Sequence, residues 1–192
     1  MNKKSLLKKM SIVVASAAMM VTALPLTASA YTGFTNGSYA TNANLYVPQA
    51  ETPLKQFNAY FTSTEMPPKN PIKTNNATLK VENDGLYLTV PVQNSGLNLK
   101  TVGTTPSGLQ FVSGVQNAIT CDSHSGSRYT SITFKLTPDD VDENYTYTIA
   151  NCASHAKIQK TILGGLTITA TDKELNTNVV LTVNIPDEAM NQ

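Results

Sequence analysis

Beyond residue 30 the chain alternates apolar and polar positions with a period of two. Leu86, Leu88, Val90 and Val92 alternate with Tyr87, Thr89 and Pro91. Thr130, Ile132, Phe134 and Leu136 do so against Ser131, Thr133 and Lys135. Tyr145, Tyr147 and Ile149 oppose Thr146, Thr148 and Ala150. The rhythm returns at Leu166, Ile168 and Ala170, and again at Val179, Leu181, Val183 and Ile185. Successive side chains of an extended strand point to opposite faces, so each run buries one face. Turn-forming clusters separate the runs at Asn83-Asp84-Gly85, Asn94-Ser95-Gly96, Pro106-Ser107-Gly108, Ser125-Gly126 and Pro138-Asp139-Asp140. Short strands at this spacing predict an all-β fold, an immunoglobulin-like β-sandwich of two antiparallel sheets. Pro91 has no N–H to give to a ladder, which predicts an edge position or a bulge there. The runs at 129–136 and 145–149 are expected to pair as a hairpin through the turn at 138–144.

One segment departs from period two. Thr52 suits a helix N-cap and Pro53 the first helical position, after which Leu54, Phe57 and Phe61 fall on one face. The expectation is one short helix near the N-terminus, ending before Pro67-Pro68. It either packs on the sandwich or forms the lip of a ligand pocket.

The first 30 residues read differently. Lys3, Lys4, Lys8 and Lys9 precede an apolar run at 12–26, and Ala28-Ser29-Ala30 follows it. A basic start, an apolar stretch and small residues at the end make a secretory signal peptide, cleaved before Tyr31. The apolar run is about 15 residues, shorter than the roughly 20 that span a bilayer. The expected organisation is a signal peptide at 1–30 and one β-sandwich domain at 31–192. The expected product is secreted, extracellular or loosely held at the cell surface, with no transmembrane anchor.

Removing the signal also changes the electrostatics. Its four lysines carry the whole positive excess, so the formal charge falls from +1 for the full chain to −3 for residues 31–192. A mildly acidic domain makes nucleic acid an unsuitable partner. With 14% charged residues, the polar surface must be built largely from Thr, Asn and Ser. No Gly-x-Ser-x-Gly elbow, His-Glu-x-x-His helix or phosphate-binding glycine loop is present. The chain is therefore read as a binding protein and not an enzyme. Asp139, Asp140, Asp142 and Glu143 form an acidic turn that lacks the EF-hand pattern and reads as a solvated turn.

The two cysteines and two histidines fall in Cys121-Asp122-Ser123-His124 and Cys152-Ala153-Ser154-His155, one pattern written twice. In an exported chain two cysteines favour a disulfide, Cys121 to Cys152. Closing a loop of about 32 residues would stabilise the fold by roughly 3–4 kcal/mol on the chain-entropy model. If the thiols are reduced, Cys121, Cys152, His124 and His155 offer zinc a tetrahedral Cys2His2 set.

A family resemblance runs through the same residues. A strand at 39–47 leads to Phe57-Asn58-Ala59-Tyr60-Phe61, then to Ala77-Thr78-Leu79-Lys80-Val81-Glu82-Asn83-Asp84-Gly85-Leu86-Tyr87-Leu88-Thr89-Val90. This resembles the front half of a NEAT (near-iron-transporter) domain, and 129–136 followed by 145–152 resembles its later strands. The resemblance implies binding of haem or a haemoprotein at a Gram-positive surface. Haem would sit between the short helix and a late hairpin, walled by Phe57, Tyr60, Phe61 and Met66. The family's iron ligand is a tyrosine of a Tyr-x-x-x-Tyr pair on the last strands. The runs at 166–170 and 179–185 contain no tyrosine, so the nearest candidates are Tyr145 and Tyr147, or His124 or His155 in their place. The other expectation is a structural or adhesive immunoglobulin-like module that contacts another surface protein and holds no small molecule.

Overall fold

The computed structural model describes residues 31–53, 55–119, 126–162 and 166–191, and the expected signal peptide lies outside them. In chain order the strands are β1 (Gly37–Thr41), β2 (Ala43–Val47), β3 (Ala59–Tyr60), β4 (Ala77–Glu82) and β5 (Gly85–Pro91). They continue as β6 (Leu97–Thr101), β7 (Leu109–Ala118), β8 (Ser127–Leu136), β9 (Asn144–Ile162) and β10 (Leu166–Asn184). They form two antiparallel five-stranded sheets, ordered β1-β4-β5-β8-β7 and β3-β2-β10-β9-β6. This is the all-β sandwich that the period-two pattern predicts.

The alternating positions face one another between the sheets. Leu79, Leu88, Val90, Ile132, Phe134 and Leu136 from the first sheet meet Leu45, Val47, Ile149, Leu181 and Val183 from the second in one buried cluster. Phe134, Leu88 and Leu181 have no exposed surface. Removing such a side chain from water stabilises the fold by about 1.5–3 kcal/mol. No helix among the described residues is long and apolar enough to cross a membrane.

The structure corrects several details. The opening strand is two strands: at Asn42 the chain leaves the first sheet as β1 and enters the second as β2. The short α-helix does not form. Single 3-10 turns occupy Gln49–Glu51 and Asp187–Ala189, and residues 59–60 are strand β3. Leu54 lies outside the described residues. Two forces defeat the helix. Lys55 has φ +50°, outside helical geometry, and side chains hold the loop closed. Thr52 Oγ1 donates to the Gln49 carbonyl at 2.9 Å and accepts from the Lys55 N–H at 3.1 Å, while Asn58 Oδ1 accepts from the Gln49 N–H at 2.8 Å. Phe61 is wholly buried because its N–H bonds the Leu45 carbonyl at 2.8 Å, which fixes it as an extended neighbour of β2.

The expected hairpin between 129–136 and 145–149 is also absent. Strand β8 pairs with β5 and β7, whereas β9 pairs with β10 and β6. The acidic turn is an arch between the sheets. Both runs carry an apolar face, and stacking across the core buries both. Pro91 is neither on an edge strand nor in a bulge: it ends the central strand β5, past the last β4 partner at Thr78↔Thr89. Its missing N–H therefore costs no bond to β4.

Strands β6 and β7 add to the runs that the pattern predicts: in β6, Leu97 and Leu99 alternate with Asn98 and Lys100 over a run too short to stand out. The separate runs at 166–170 and 179–185 are one strand of nineteen residues, β10, paired along its length with the equally long β9. The polar stretch 171–178 stays in the ladder because the pairing bonds come from the backbone.

Candidate functional site

Strand β9 carries the site at its beginning. Strand β6 pairs only with Ala153–Ala156, and a single bridge, Thr104↔Ala150, continues past it. The first residues of β9 therefore have β10 on one side and no strand on the other among the described residues. Tyr145 and Tyr147 point toward the core side of the sheet, as Ile149 does, but at this open corner they remain half-buried. Their rings stack with centroids 6.4 Å apart and planes 24° apart.

Two loops complete a groove of about 350 Å³ around them. One is the β8–β9 arch, with Thr137, Pro138, Asp139, Asp140 and Asp142; the other is the turn before β7, with Ser107 and Gly108. In that turn Leu109 N–H bonds the Pro106 carbonyl and Gly108 has φ +76°, a conformation that requires glycine. Tyr145 fixes the arch: its hydroxyl donates to the Asp140 carbonyl and accepts from the Asp142 N–H, both at 2.6 Å. A third tyrosine, Tyr31, supports the arch. Its hydroxyl donates to the Pro138 carbonyl at 2.9 Å, and its ring stacks on buried Phe34 at 5.9 Å.

The Tyr147 hydroxyl has no hydrogen-bond partner among the described residues. Burial, then the neighbouring Tyr145, Tyr31 and Asp139, push its ionisation up to about 12. Burial raises Tyr145 too, against the pull of the Asp142 amide. Both phenols are therefore neutral at any physiological pH, and Tyr147 presents a free donor. Asp139, Asp140 and Asp142 are exposed and make no ion pair among the described residues. The nearby Lys135 is held at 2.5 Å by Asp84 and lies over the Tyr87 ring. A larger notch of about 570 Å³ lies at the β4–β5 turn, but no aromatic side chain lines it among the described residues.

The other expected site residues are dispersed. Phe61 belongs to the core, Tyr60 lies against Tyr46 with ring centroids 4.8 Å apart, and Phe57 is half-buried in the loop before β3. Met66 is 48% exposed and lies over Gly96, beside the Lys157 carbonyl. His155 is fully buried, opposite Asn98 and Glu174. It lies eight positions along β9 from Tyr147, roughly 25 Å in an extended strand. The structure thus brings Tyr145 and Tyr147 together and leaves Phe57, Tyr60, Phe61, Met66 and His155 elsewhere. His124 and Cys121 lie outside the described residues.

Cys152 is a free thiol, and the expected disulfide is not among the described bonds. Its sulfur accepts from the Gly103 N–H at 3.4 Å inside the core, and burial raises its ionisation. No cluster of three metal-ligating groups occurs among the described residues.

The two halves of the groove are legible in the sequence, and their union is not. The acidic turn and the tyrosine pair are visible as motifs, but only the Tyr145 hydroxyl joins them. Tyr31 and Gly108 carry no signal of their own beyond a turn and the predicted cleavage site. Comparison with family models, curated proteins and solved structures gives no match for this chain.

Proposed function

We propose that the chain is a secreted, non-catalytic binding module that takes a small ligand in the groove at Tyr145 and Tyr147. The observation that carries this reading is Tyr147, a half-buried phenol with an unused hydroxyl in a groove whose floor is aromatic and whose rim is acidic. Ligand sites combine an apolar body with a few convergent polar groups, and this corner has both. The export signals at 1–30 support action outside the cell.

Haem is the ligand implied by the NEAT resemblance, and two observations favour a smaller one. The expected haem walls lie apart from the tyrosines, and a tyrosinate would have to form beside Asp139 against the forces that keep Tyr147 protonated. Haem propionates would also meet unpaired carboxylates. Hemin titration tests the choice: no Soret shift is expected at one equivalent. A stoichiometric shift that is lost in Tyr147→Phe or His155→Ala would restore haem and overturn the small-ligand reading.

One feature favours a second, adhesive reading. Strand β7 is an edge of ten residues with no charged side chain, and it exposes Val112 (44%) and Val115 (59%). Uncharged edges are templates for pairing with another chain. Concentration-dependent association in sedimentation, abolished by Val115→Lys, would support that reading.

A further inference from the structure

The groove presents one kind of charge and one kind of surface. Tyr145 and Tyr147 supply stacked, half-buried rings, with Tyr31 beside the arch. Asp139, Asp140 and Asp142 supply three carboxylates, and no lysine or arginine lines the groove among the described residues. Lys135, the basic group nearest in sequence, is committed to Asp84. Tyr145 spends its hydroxyl on the arch, so the carboxylate-bearing loop is held against the rings.

We infer that the ligand is an organic ammonium cation with an alkylated head, held over tyrosine rings and balanced by the rim carboxylates. This rests on the groove being the binding site. The electron-rich face of an aromatic ring attracts a cation, and the attraction grows when water is excluded. The carboxylates are exposed, so they supply long-range attraction and choose the sign of the ligand. The rings supply contact and prefer a head that sheds water easily. A compact, strongly hydrated cation gains little from the rings, and a neutral ligand leaves the carboxylates unused. The free Tyr147 hydroxyl then meets the acceptor on the rest of the ligand.

The test uses choline as probe, with 3,3-dimethylbutan-1-ol as its neutral isostere and calcium chloride as the hydrated cation. Each is titrated into the 15N-labelled mature chain while amide shifts are followed. Choline is expected to move Gly108, Asp142 and Tyr147 saturably, at least about tenfold more tightly than the isostere. Asp139→Asn makes no described hydrogen bond fail and is expected to weaken choline several-fold with the spectrum otherwise intact. Tyr147→Leu should do the same more strongly. Equal binding of choline and its isostere would overturn the cation while leaving the groove as the site. Calcium shifts at the arch that displace choline would also overturn it. Absence of any groove shift with all three probes would remove both the cation and the groove.

Discussion

Glu51 and Asn178 are joined twice: the carboxylate accepts the Asn178 backbone N–H at 2.6 Å and its side-chain amide at 2.8 Å. Asn178 is the residue that the β9–β10 ladder skips between Thr177↔Cys152 and Val179↔Ile149. The bulge leaves it out of the register, and the 3-10 turn at Gln49–Glu51 closes on it. A carboxylate so placed does for the loop what a helix was expected to do.

Glu51→Ala removes both bonds and leaves a backbone donor without its partner. The expected loss is about 1–3 kcal/mol of unfolding free energy, read from urea denaturation. Glu51→Gln retains one good acceptor and should lose less. Equal stability of Glu51→Ala and the parent would show that the clasp contributes nothing.

Gly103 lies against β9 backbone. A β-carbon there would overlap the Ala150 carbonyl and meet the Asn151 carbonyl at 2.5 Å. Neither atom belongs to a side chain that can turn away. Gly103→Ala is expected to destabilise by about 2–4 kcal/mol, lowering the denaturation midpoint. A change under about 0.5 kcal/mol, the usual range for surface substitutions, would contradict the packing.

Tyr147 gives an alkaline signature. Its folded-state ionisation is raised from 10.0 to about 12, so the folded chain holds the proton more tightly than the unfolded chain. The associated stability is fully present below pH 10.0 and is lost as pH rises toward about 12. In Tyr147→Phe the fall in stability across that window should be shallower, and the last step of the 295 nm phenol titration should disappear. An unchanged titration curve would refute the assignment.

Cys152 should react only when the fold opens. It is 1% exposed and its thiol is raised by burial, so native alkylation is expected to be at least about 100-fold slower than alkylation in urea. Peptide mapping distinguishes it from Cys121. Absence of labelling in urea without reductant, with labelling restored by reductant, would instead reveal a disulfide.

The sequence by itself determined the fold class, and the reason is local. Side-chain direction alternates along a strand, so Leu86 to Val92, Ile132 to Leu136 and Val179 to Ile185 announce which face is buried without knowledge of their partners. The segment from Thr52 to Phe61 shows the limit of that reasoning: its capping and spacing suit a helix, yet burial of Phe61 beside Leu45 and the bonds of Thr52 and Asn58 outweigh the local preference. Strand partners were equally hidden. Tyr145 and Ile132 carry the same pattern whether β8 and β9 pair in one sheet or stack across the core, and only tertiary structure chose the second. That choice made the acidic turn an arch, left the start of β9 uncovered, and set Asp139, Asp142 and Tyr31 around Tyr147. A site built from residues 31 to 147 depends on packing between sheets, and no spacing in the chain encodes it.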